Sequence, residues 1–578
     1  MKQSSRSFAA KPLAAAVKWA LCGVTALAMS GPAVAQVAVD DDDDEEEVLE
    51  TVSVLGTRST ARSATDSAVP IDIIDAEELR SQGSTDVLDQ LKVLVPSFNV
   101  STIPIDDAAT LIRPANLRGL PPDNTLILVN GKRRHRSAVI TFLGHGLSDG
   151  SQGVDLSVFP SLALDQVEVL RDGAAAQYGS DAIAGVINFN LKRLSEGGQV
   201  EIFGGEHYEG DGFTVQADGQ IGLPIGQDGF ATLTAEWREA DATSRSVQRD
   251  DAAAAAAAGY PNVPDPAQIW GSPEVKDDKK FVANFGWSGE RFEIYAFGNV
   301  ARRDTDGGFY YRNPTARAGV YSNDGGNTLL IGNLSGTGAC PTIRLRDAGG
   351  NLIPYSTVST QVNALPANCF TFLDVFTGGF TPRFGGEMED VGFTGGIKGS
   401  WGNEFYWDLS ASYGNNEIDF FMYNTVNASL GPNQPANFLF RPGSNEQTER
   451  NINFDISKSF DRFNLAAGAE MRTEEFKIGA GDTASTAIGP LTQQGFSIGS
   501  NGFPGFNAVT AGEHERDSWA VYFDAESQVT DQFLLAGAVR YEDYDDFGST
   551  TNWKLTGRYD FNDNFAIRGA VSTGFRAP

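Results

Sequence analysis

Val-Glu-Val-Leu-Arg-Asp-Gly-Ala-Ala-Ala-Gln-Tyr-Gly-Ser-Asp-Ala-Ile-Ala-Gly-Val-Ile-Asn, residues 167 to 188, is the stretch that decides the fold. It starts inside a predicted strand, residues 164 to 170, and turns at Arg171-Asp172-Gly173. Glycines at 173, 179 and 185 permit positive φ or a close approach of another backbone. Glycines spaced in this way are typical of a domain enclosed tightly by another part of the protein.

The residues before this stretch predict short strands, helices and tight turns. Asp75 is expected to cap one helix, and residues 85 to 94 predict a second helix, which Pro96 ends. A strand over residues 125 to 129 runs into Asn130-Gly131, a dipeptide typical of hairpin turns. The pattern indicates a compact α+β domain over residues 61–193.

The stretch from 167 to 188 resembles the end of the plug domain of TonB-dependent outer-membrane receptors. Two earlier pieces, 117–119 and 128–131, resemble preceding plug signatures in the right order. The resemblance implies an N-terminal α+β plug inside a transmembrane antiparallel β-barrel. Arg118 and Arg171 keep two interpretations, ligand binding or pairing with carboxylates on the barrel wall. The plug-motif residues are Arg118, Gly119, Asn130, Gly131, Arg171, Gly173, Tyr178, Gly179, Gly185 and Asn188.

The N-terminal segment reads as an export signal followed by a tether. Residues 1–35 combine four basic residues, an apolar stretch and Ala33-Val34-Ala35, which fits a signal peptide cleaved after Ala35. Residues 36–60 form an acidic linker, in which the run of acids at 40–47 is expected to keep the chain extended and solvated.

The linker also carries a short alternating segment that resembles the TonB box of the same family. An isolated strand of this kind suits pairing with the edge of a partner sheet. The resemblance implies that the TonB protein, with its inner-membrane energising complex, binds there. The segment consists of Glu50, Thr51, Val52, Ser53, Val54, Leu55 and Gly56.

From residue 194 to 578 the sequence alternates apolar and polar residues with a period of two. Long and short connections also alternate strictly along the chain, which is the pattern of an outer-membrane barrel with long loops on one rim. No run of about 18 apolar residues follows the signal, so membrane insertion must be by strands. The segment is therefore predicted to be a partial transmembrane β-barrel that contacts outer-membrane lipid.

The mainly β fold is expected to contain about 13 of the roughly 22 barrel strands that the resemblance implies. An odd number of strands would leave an unpaired edge facing lipid. The expectation is a chain that lacks the C-terminal strands of the full receptor.

A basic cluster stands out in an acidic chain of net charge −31. The cluster follows the Asn130-Gly131 turn, and by resemblance this loop is a plug apex that faces the substrate. Two interpretations of its members are equally open, contact with an anionic ligand and pairing with groups of the barrel wall. The candidate substrate contacts are Arg133, Arg134, His135 and Arg136, next to Lys132.

Two cysteines remain after the signal, Cys340 and Cys369. In an exported chain they favour one disulfide bond in the longest outer loop, worth about 3 kcal/mol, with two free thiols as the alternative. The four histidines lack metal-ligand spacing, and no serine or cysteine has a recognisable catalytic partner. No metal site, cofactor or enzymatic activity is therefore expected.

The function implied by the resemblance is TonB-energised uptake of a scarce nutrient across the outer membrane of a Gram-negative cell. A ferric siderophore is the first expectation for the small ligand. Carbohydrate, cobalamin and haem remain open, as does a passive porin or adhesin. The acidic composition argues against nucleic acid as a partner, since phosphate binding needs a basic surface.

Overall fold

The computed structural model describes residues 52–53, 55, 62–63 and 67–577, except 101, 107, 142–147, 403–404 and 563. The predicted signal peptide and the acidic run lie outside these residues. Two units are present, a small mixed α/β domain and a large antiparallel sheet.

The small domain, called the plug below, contains a five-stranded sheet in the order β3-β8-β9-β6-β7. Only the β6–β9 pair is parallel. Two further strand pairs, β1–β2 and β4–β5, lie outside this sheet. The strands are β1 (Val52–Ser53), β2 (Arg62–Ser63), β3 (Ile71–Asp75), β4 (Phe98–Val100), β5 (Ala115–Leu117), β6 (Thr125–Val129), β7 (Lys132–Arg133), β8 (Leu164–Leu170) and β9 (Gly185–Leu191). The helices are α1 (Ala76–Arg80), α2 (Val87–Leu94), α3 (Ala109–Ile112) and α4 (Ala175–Tyr178), with 3₁₀ turns at Pro122–Asn124 and Ser161–Ala163.

Local sequence explains the plug elements. Strand β6 reads Thr-Leu-Ile-Leu-Val and is buried along its whole length, as expected for a central strand covered on both faces. The Asp75 carboxylate accepts a hydrogen bond from the backbone N–H of Glu77, so the predicted cap of α1 is confirmed. Helix α2 begins two residues later than predicted because Asp86 caps it, with its carboxylate 2.9 Å from the Leu88 nitrogen.

The large sheet has 13 strands, each antiparallel to the next along the chain, as the alternation predicts. Apolar side chains such as Phe393 and Met471 point outward, at 56% and 66% exposure, whereas their polar neighbours face the plug. The strands of this region, including two short ones in a loop, are β10 (Gly198–Gly205), β11 (Thr214–Ile225), β12 (Gly229–Ala240), β13 (Glu274–Ser288), β14 (Phe292–Gly307), β15 (Gly332–Asn333), β16 (Cys369–Phe370), β17 (Arg383–Trp401), β18 (Phe405–Tyr423), β19 (Phe440–Ser459), β20 (Phe463–Ala480), β21 (Gly512–Thr530), β22 (Phe533–Tyr544), β23 (Gly548–Asn562) and β24 (Phe565–Ser572).

The plug contacts the sheet from one end to the other. Gln220 of β11 donates to the carbonyl of Leu162, 2.9 Å away, and Arg568 of β24 donates to the carbonyl of Val69, 3.3 Å away. Contacts at both ends of a meander of consecutive strands require that the sheet wraps around the plug.

The long connections on one rim pack together as an outer cap, defined here as residues 241–273, 308–382, 424–439 and 481–511. The cap has its own apolar core, which includes Tyr321, Phe372 and Phe380. Its helices are α5 (Asp250–Ala257), α6 (Tyr355–Asn363) and α7 (Thr483–Thr486), with 3₁₀ turns at Phe372–Asp374, Ala428–Leu430, Ala436–Phe438 and Thr492–Gln494. No helix in the described part of the chain is both long enough and apolar enough to cross a membrane.

Candidate functional site

The basic segment Lys132–Arg136 lies at the interface between the plug and the sheet. It follows the β6–β7 turn, in which Asn130 and Gly131 have φ of 48° and 78°. The Asn130 side chain accepts from the Leu191 backbone, and the Asn188 side chain accepts from the Gly131 backbone, both at 2.9 Å. These bonds fix the turn, so the basic side chains leave the plug in one direction.

Asp390 on β17 is the first acceptor of this segment. Arg134 donates to one of its oxygens, and His135 Nε2 lies 2.9 Å from the other. Asn299 on β14 and Asn416 on β18 donate to the same carboxylate at 2.8 and 3.0 Å. One buried carboxylate therefore joins the plug to three adjacent strands.

Arg136 reaches two further wall carboxylates. Its Nε donates to Glu449 on β19 at 2.9 Å, and its Nη2 donates to Glu474 on β20. Arg472, next to Glu474 on the inward face, pairs with both of these glutamates. Two plug-facing glutamates thus share two arginines, one from each unit.

Asp181 of the plug forms ion pairs with a second group of basic side chains. Its carboxylate lies 2.5 Å from Arg133, 3.4 Å from Arg472 and 3.2 Å from Arg576. Burial by itself would raise the pKa of Asp181, but Arg576, Arg133 and Arg472 outweigh it and hold that pKa well below its usual range. The carboxylate is therefore ionised throughout the physiological range.

Lys132 points toward the rim of short turns. Its Nζ lies 3.1 Å from Asp408 on β18 and 3.5 Å from Asp455 on β19. Four of the five residues from Lys132 to Arg136 thus contact carboxylates of the sheet directly within hydrogen-bond range, and Arg133 lies 3.8 Å from Glu470. Wall pairing, the second interpretation of this cluster, is what the geometry displays; contact with a substrate stays a prediction.

Glycines of the plug motif occupy positions where a side chain would collide. Gly179 has φ of 111°, and a Cβ there would lie 2.6 Å from the Arg133 guanidinium. Gly185 has φ of 157°, and a Cβ there would lie 2.2 Å from the Leu170 carbonyl oxygen. The motif therefore clears space for the ion pairs and for the β8–β9 junction.

The two arginines of the motif bond within the plug, so the interpretation that they pair with carboxylates on the barrel wall is wrong, whereas ligand binding stays a prediction. Arg171 forms two hydrogen-bond-length contacts with Asp72, at 2.7 and 2.8 Å. Arg118, itself at a φ of 57°, donates to the carbonyl of Ala184 at 3.2 Å. Both arginines therefore stabilise the plug itself, because their hydrogen-bond partners, Ala184 and Asp72, belong to the plug. The other motif residues, Gly119, Gly173 and Tyr178, also lie in the plug at its turns and at the end of α4.

The predicted TonB box is described only in part. Val52 and Ser53 form β1 and pair with Arg62 and Ser63 of β2. Leu55 is 3% exposed and packs in the apolar cluster of the plug with Val69, Leu128 and Leu170. Glu50, Thr51, Val54 and Gly56 lie outside the described residues.

A cavity of about 1200 Å³ opens beside Leu55, between the plug and the short-turn rim. Its lining includes Lys132, Arg193, Asp408 and Asp455. This cavity lies on one side of the plug, next to the segment that carries Leu55.

On the opposite rim, Cys340 and Cys369 form a disulfide bond with their Cα atoms 5.8 Å apart. Cys369 belongs to β16, which pairs with β15 inside the longest cap loop. The bond closes 29 residues of that loop. Among the residues that the structure describes, no group of three His, Cys, Asp or Glu side chains is arranged to hold a metal ion.

Sequence reasoning missed the partners of the basic segment. Asp181, Asp390, Glu449, Arg472 and Glu474 are separated by up to about 300 positions, and no local motif connects them. The available signal was the alternation itself, because it placed Glu470 and Arg472 on the polar, inward face of their strand. Which inward charge meets which plug residue depends on register and closure of the sheet.

Fold and site together define a plugged β-barrel receptor of the outer membrane. The sequence model of the TonB-dependent receptor plug domain matches residues 63–186, and that of the TonB-dependent receptor-like β-barrel matches residues 342–578. Together the two matches cover more than half of the chain. The chain belongs to the TonB-dependent receptor family, a family of transport receptors in the outer membrane of Gram-negative cells.

Relatives and solved structures agree with this assignment. The ferric enterobactin receptor PirA of Pseudomonas aeruginosa is 24% identical over 90% of this chain and 60% of its own length. The ferrienterobactin receptor of Escherichia coli is 27% identical over 27% of this chain and 21% of its own. The crystal structure of the siderophore receptor PirA from Acinetobacter baumannii matches 88% of this chain and 61% of its own with a TM-score of 0.53 at 18% identity, which concerns the fold alone. The chain spans about three fifths of the length of the two PirA receptors.

Proposed function

We propose that this chain is the plug and part of the barrel of a receptor that takes up a ferric siderophore with energy delivered by TonB. The observation that carries the proposal is the plug itself, held across the inside of the sheet by buried ion pairs. A passive porin needs an open lumen, and an adhesin has no use for an internal domain. A plugged barrel needs an energy source that opens it.

Residues 50–56 are proposed as the point where that energy enters. A short strand offers backbone hydrogen bonds to the edge of a partner sheet, and its alternate side chains set the register. Leu55 ties this segment to the sheet of the plug. A pull on the segment therefore acts first on the plug.

The chemistry of the interface suits a domain that has to shift and return. Buried ion pairs contribute little net stability because desolvation offsets their attraction, whereas their geometry is demanding. Arg134, His135 and Arg136 meet directional partners at fixed positions on the wall, so the plug has one preferred position. Water that enters a displaced interface can solvate the separated charges, which lowers the cost of that displacement.

The substrate class rests on the relatives. Receptors named for ferric enterobactin match this chain over 90% of its length in one case and over 27% of it in another. A vitamin B12 transporter of Vibrio vulnificus is 32% identical over 20% of this chain, which keeps cobalamin as the second candidate. The outer cap, which first meets the ligand, decides between them. No catalytic step is proposed for any residue.

The test is energised uptake by the full-length receptor in cells that lack their own ferric-siderophore receptors. One variant lacks residues 50–56, and a matched control lacks seven residues of the acidic run, 40–46. We expect the first deletion to abolish uptake of a radiolabelled ferric catecholate while surface binding persists. The control deletion should retain uptake, because it shortens only the solvated tether.

Uptake that survives the deletion of residues 50–56, or that persists in cells without TonB, contradicts the proposal. It would favour a passive pore. Transport of cobalamin in place of the ferric chelate, with the same dependence on residues 50–56, would keep the energised mechanism and change the substrate.

A further inference from the structure

Arg312 is a buried cation without a counter-ion. It lies in the outer cap and is 4% exposed, yet among the described residues its side chain forms no ion pair and no hydrogen bond to the protein. Its guanidinium carbon lies 5.3 Å from the ring centre of Phe309. A guanidinium has five N–H donors and no acceptor, and the Nε of Arg312 is fully buried without a hydrogen-bond partner among the described residues, which is costly.

The other buried arginines in the described part of the chain all have a carboxylate partner, which Arg312 lacks there. Arg134, Arg303, Arg472 and Arg540 each have at least one carboxylate within salt-bridge distance. In a chain with 75 acidic and 44 basic residues, acidic partners are abundant. Arg312 is the exception, and the missing partner is not explained by composition.

Arg317 adds a second cation to the same place. It is partly exposed, its Nη2 donates to Asn501 at 3.3 Å, and its buried Nε has no acceptor. Burial, with the charge of Arg317 as a second cause, lowers the pKa of Arg312 to about 9. Arg312 therefore stays positive at neutral pH, and the nearby charge of Arg317 disfavours that charged form.

The position of the pair connects it with transport. Phe309 contacts Phe384 edge to face, with ring centres 6.5 Å apart, and Phe384 packs on Phe503 at 5.2 Å. A side-chain carbon added at Gly307 would lie 3.5 Å from Thr110 of the plug. The pair is thus located where the cap meets the plug, and the partly exposed Arg317 marks the side from which it can be reached.

We propose that Arg312 and Arg317 form a binding subsite for the negatively charged oxygen atoms of an iron chelate. Two guanidinium groups supply paired N–H donors for such oxygens, and a buried site strengthens each charge-assisted bond. The aromatic residues beside them suit the planar rings of a catecholate. The inference rests on the proposed function and adds to it the charge of the ligand.

The test compares two ferric chelates on the full receptor in outer-membrane preparations, a trianionic tris-catecholate and a neutral tris-hydroxamate. Arg312→Gln and Arg317→Gln should each weaken binding of the catecholate by about ten- to a hundred-fold, the range expected for loss of a charged hydrogen bond. Arg344→Gln is the matched control, because Arg344 is an exposed arginine of the same cap without a carboxylate partner. It should leave binding within about two-fold of the wild type.

A second variant, Arg312→Met, separates a ligand site from a structural role. Without ligand it should slow the cutting of the cap by proteinase K, because it removes an uncompensated buried charge. Faster cutting would show that the guanidinium stabilises the cap and would overturn the inference.

Wild-type affinity of Arg312→Gln for the catecholate also overturns it, as does a wild-type receptor that binds the catecholate no better than the hydroxamate. Uptake of the neutral chelate that still depends on residues 50–56 would leave the proposed function standing while this inference fails.

Discussion

At the scale of the residue, a few buried charges decide how the plug is seated. Asp390 accepts from Arg134, His135, Asn299 and Asn416, so its loss leaves several donors unpaired at once. Breaking a buried ion pair on one side costs more than the pair contributes, because the remaining charge stays desolvated. Loss of a single carboxylate on the barrel wall is therefore expected to destabilise the plug within the sheet.

Asp390→Asn should destabilise the seated plug by about 3–5 kcal/mol, since Arg134 would remain buried without a counter-charge. Proteolysis of the plug in outer-membrane preparations measures this effect. Asp419→Asn is the matched control, because Asp419 lies on the exposed, outward face of β18. Equal protease resistance of the two variants would contradict the role assigned to Asp390.

Gly185→Ala should also loosen the plug, because the new Cβ would meet the Leu170 carbonyl at 2.2 Å in a backbone conformation that side chains rarely adopt. We expect a loss of about 2 kcal/mol or more in the stability of the plug. Gly219→Ala on β11 provides the control, since a Cβ there has no neighbour within 4 Å. A thermal transition of Gly185→Ala that coincides with that of Gly219→Ala would refute the steric argument.

At the scale of the element, the sequence predicts what depends on local pattern. The alternation of apolar and polar residues predicts the number of strands correctly. Asp75 predicts the start of α1, and Asn130-Gly131 predicts the turn after β6, because capping and turn chemistry act within a few residues. Pairing of Arg118 and Arg171 with the barrel wall is a wrong prediction. Their actual partners lie 60 to 100 positions away in the sequence, so they depend on the fold of the whole plug. The Asp390 and Asp181 centres were not predicted, because strand register and closure bring their members together.

The long cap loop is an element whose order depends on one covalent bond. In the chain-entropy model, a bond that closes 29 residues contributes about 3.6 kcal/mol to the stability of the closed loop. A variant with Cys340→Ala and Cys369→Ala should be cut by proteinase K within the cap faster than the wild type. Reductant should bring the wild type to the rate of the variant and leave the variant unchanged. A wild type that resists cutting equally well after reduction would contradict this prediction.

At the scale of the molecule, the receptor combines three parts with different chemistry. The outer cap has an apolar core with an uncompensated cation pair at its base, the plug is seated by buried ion pairs, and the segment at Leu55 lies beside a cavity on the opposite rim. A ligand held by the cap and a pull on the segment both act on the plug between them. The central claim is that uptake requires this plug to move against the sheet.

A cross-link between plug and sheet tests that claim most directly. A Cβ at Gly173 of the plug would lie 3.8 Å from the Cβ of Ser572 on β24, a separation suited to a disulfide bond. The full receptor carrying Gly173→Cys and Ser572→Cys is compared with each single cysteine variant for energised uptake of a radiolabelled ferric catecholate. We predict binding without uptake in the oxidised double variant, and recovery of uptake after reduction. Full uptake by a completely cross-linked receptor would contradict the account.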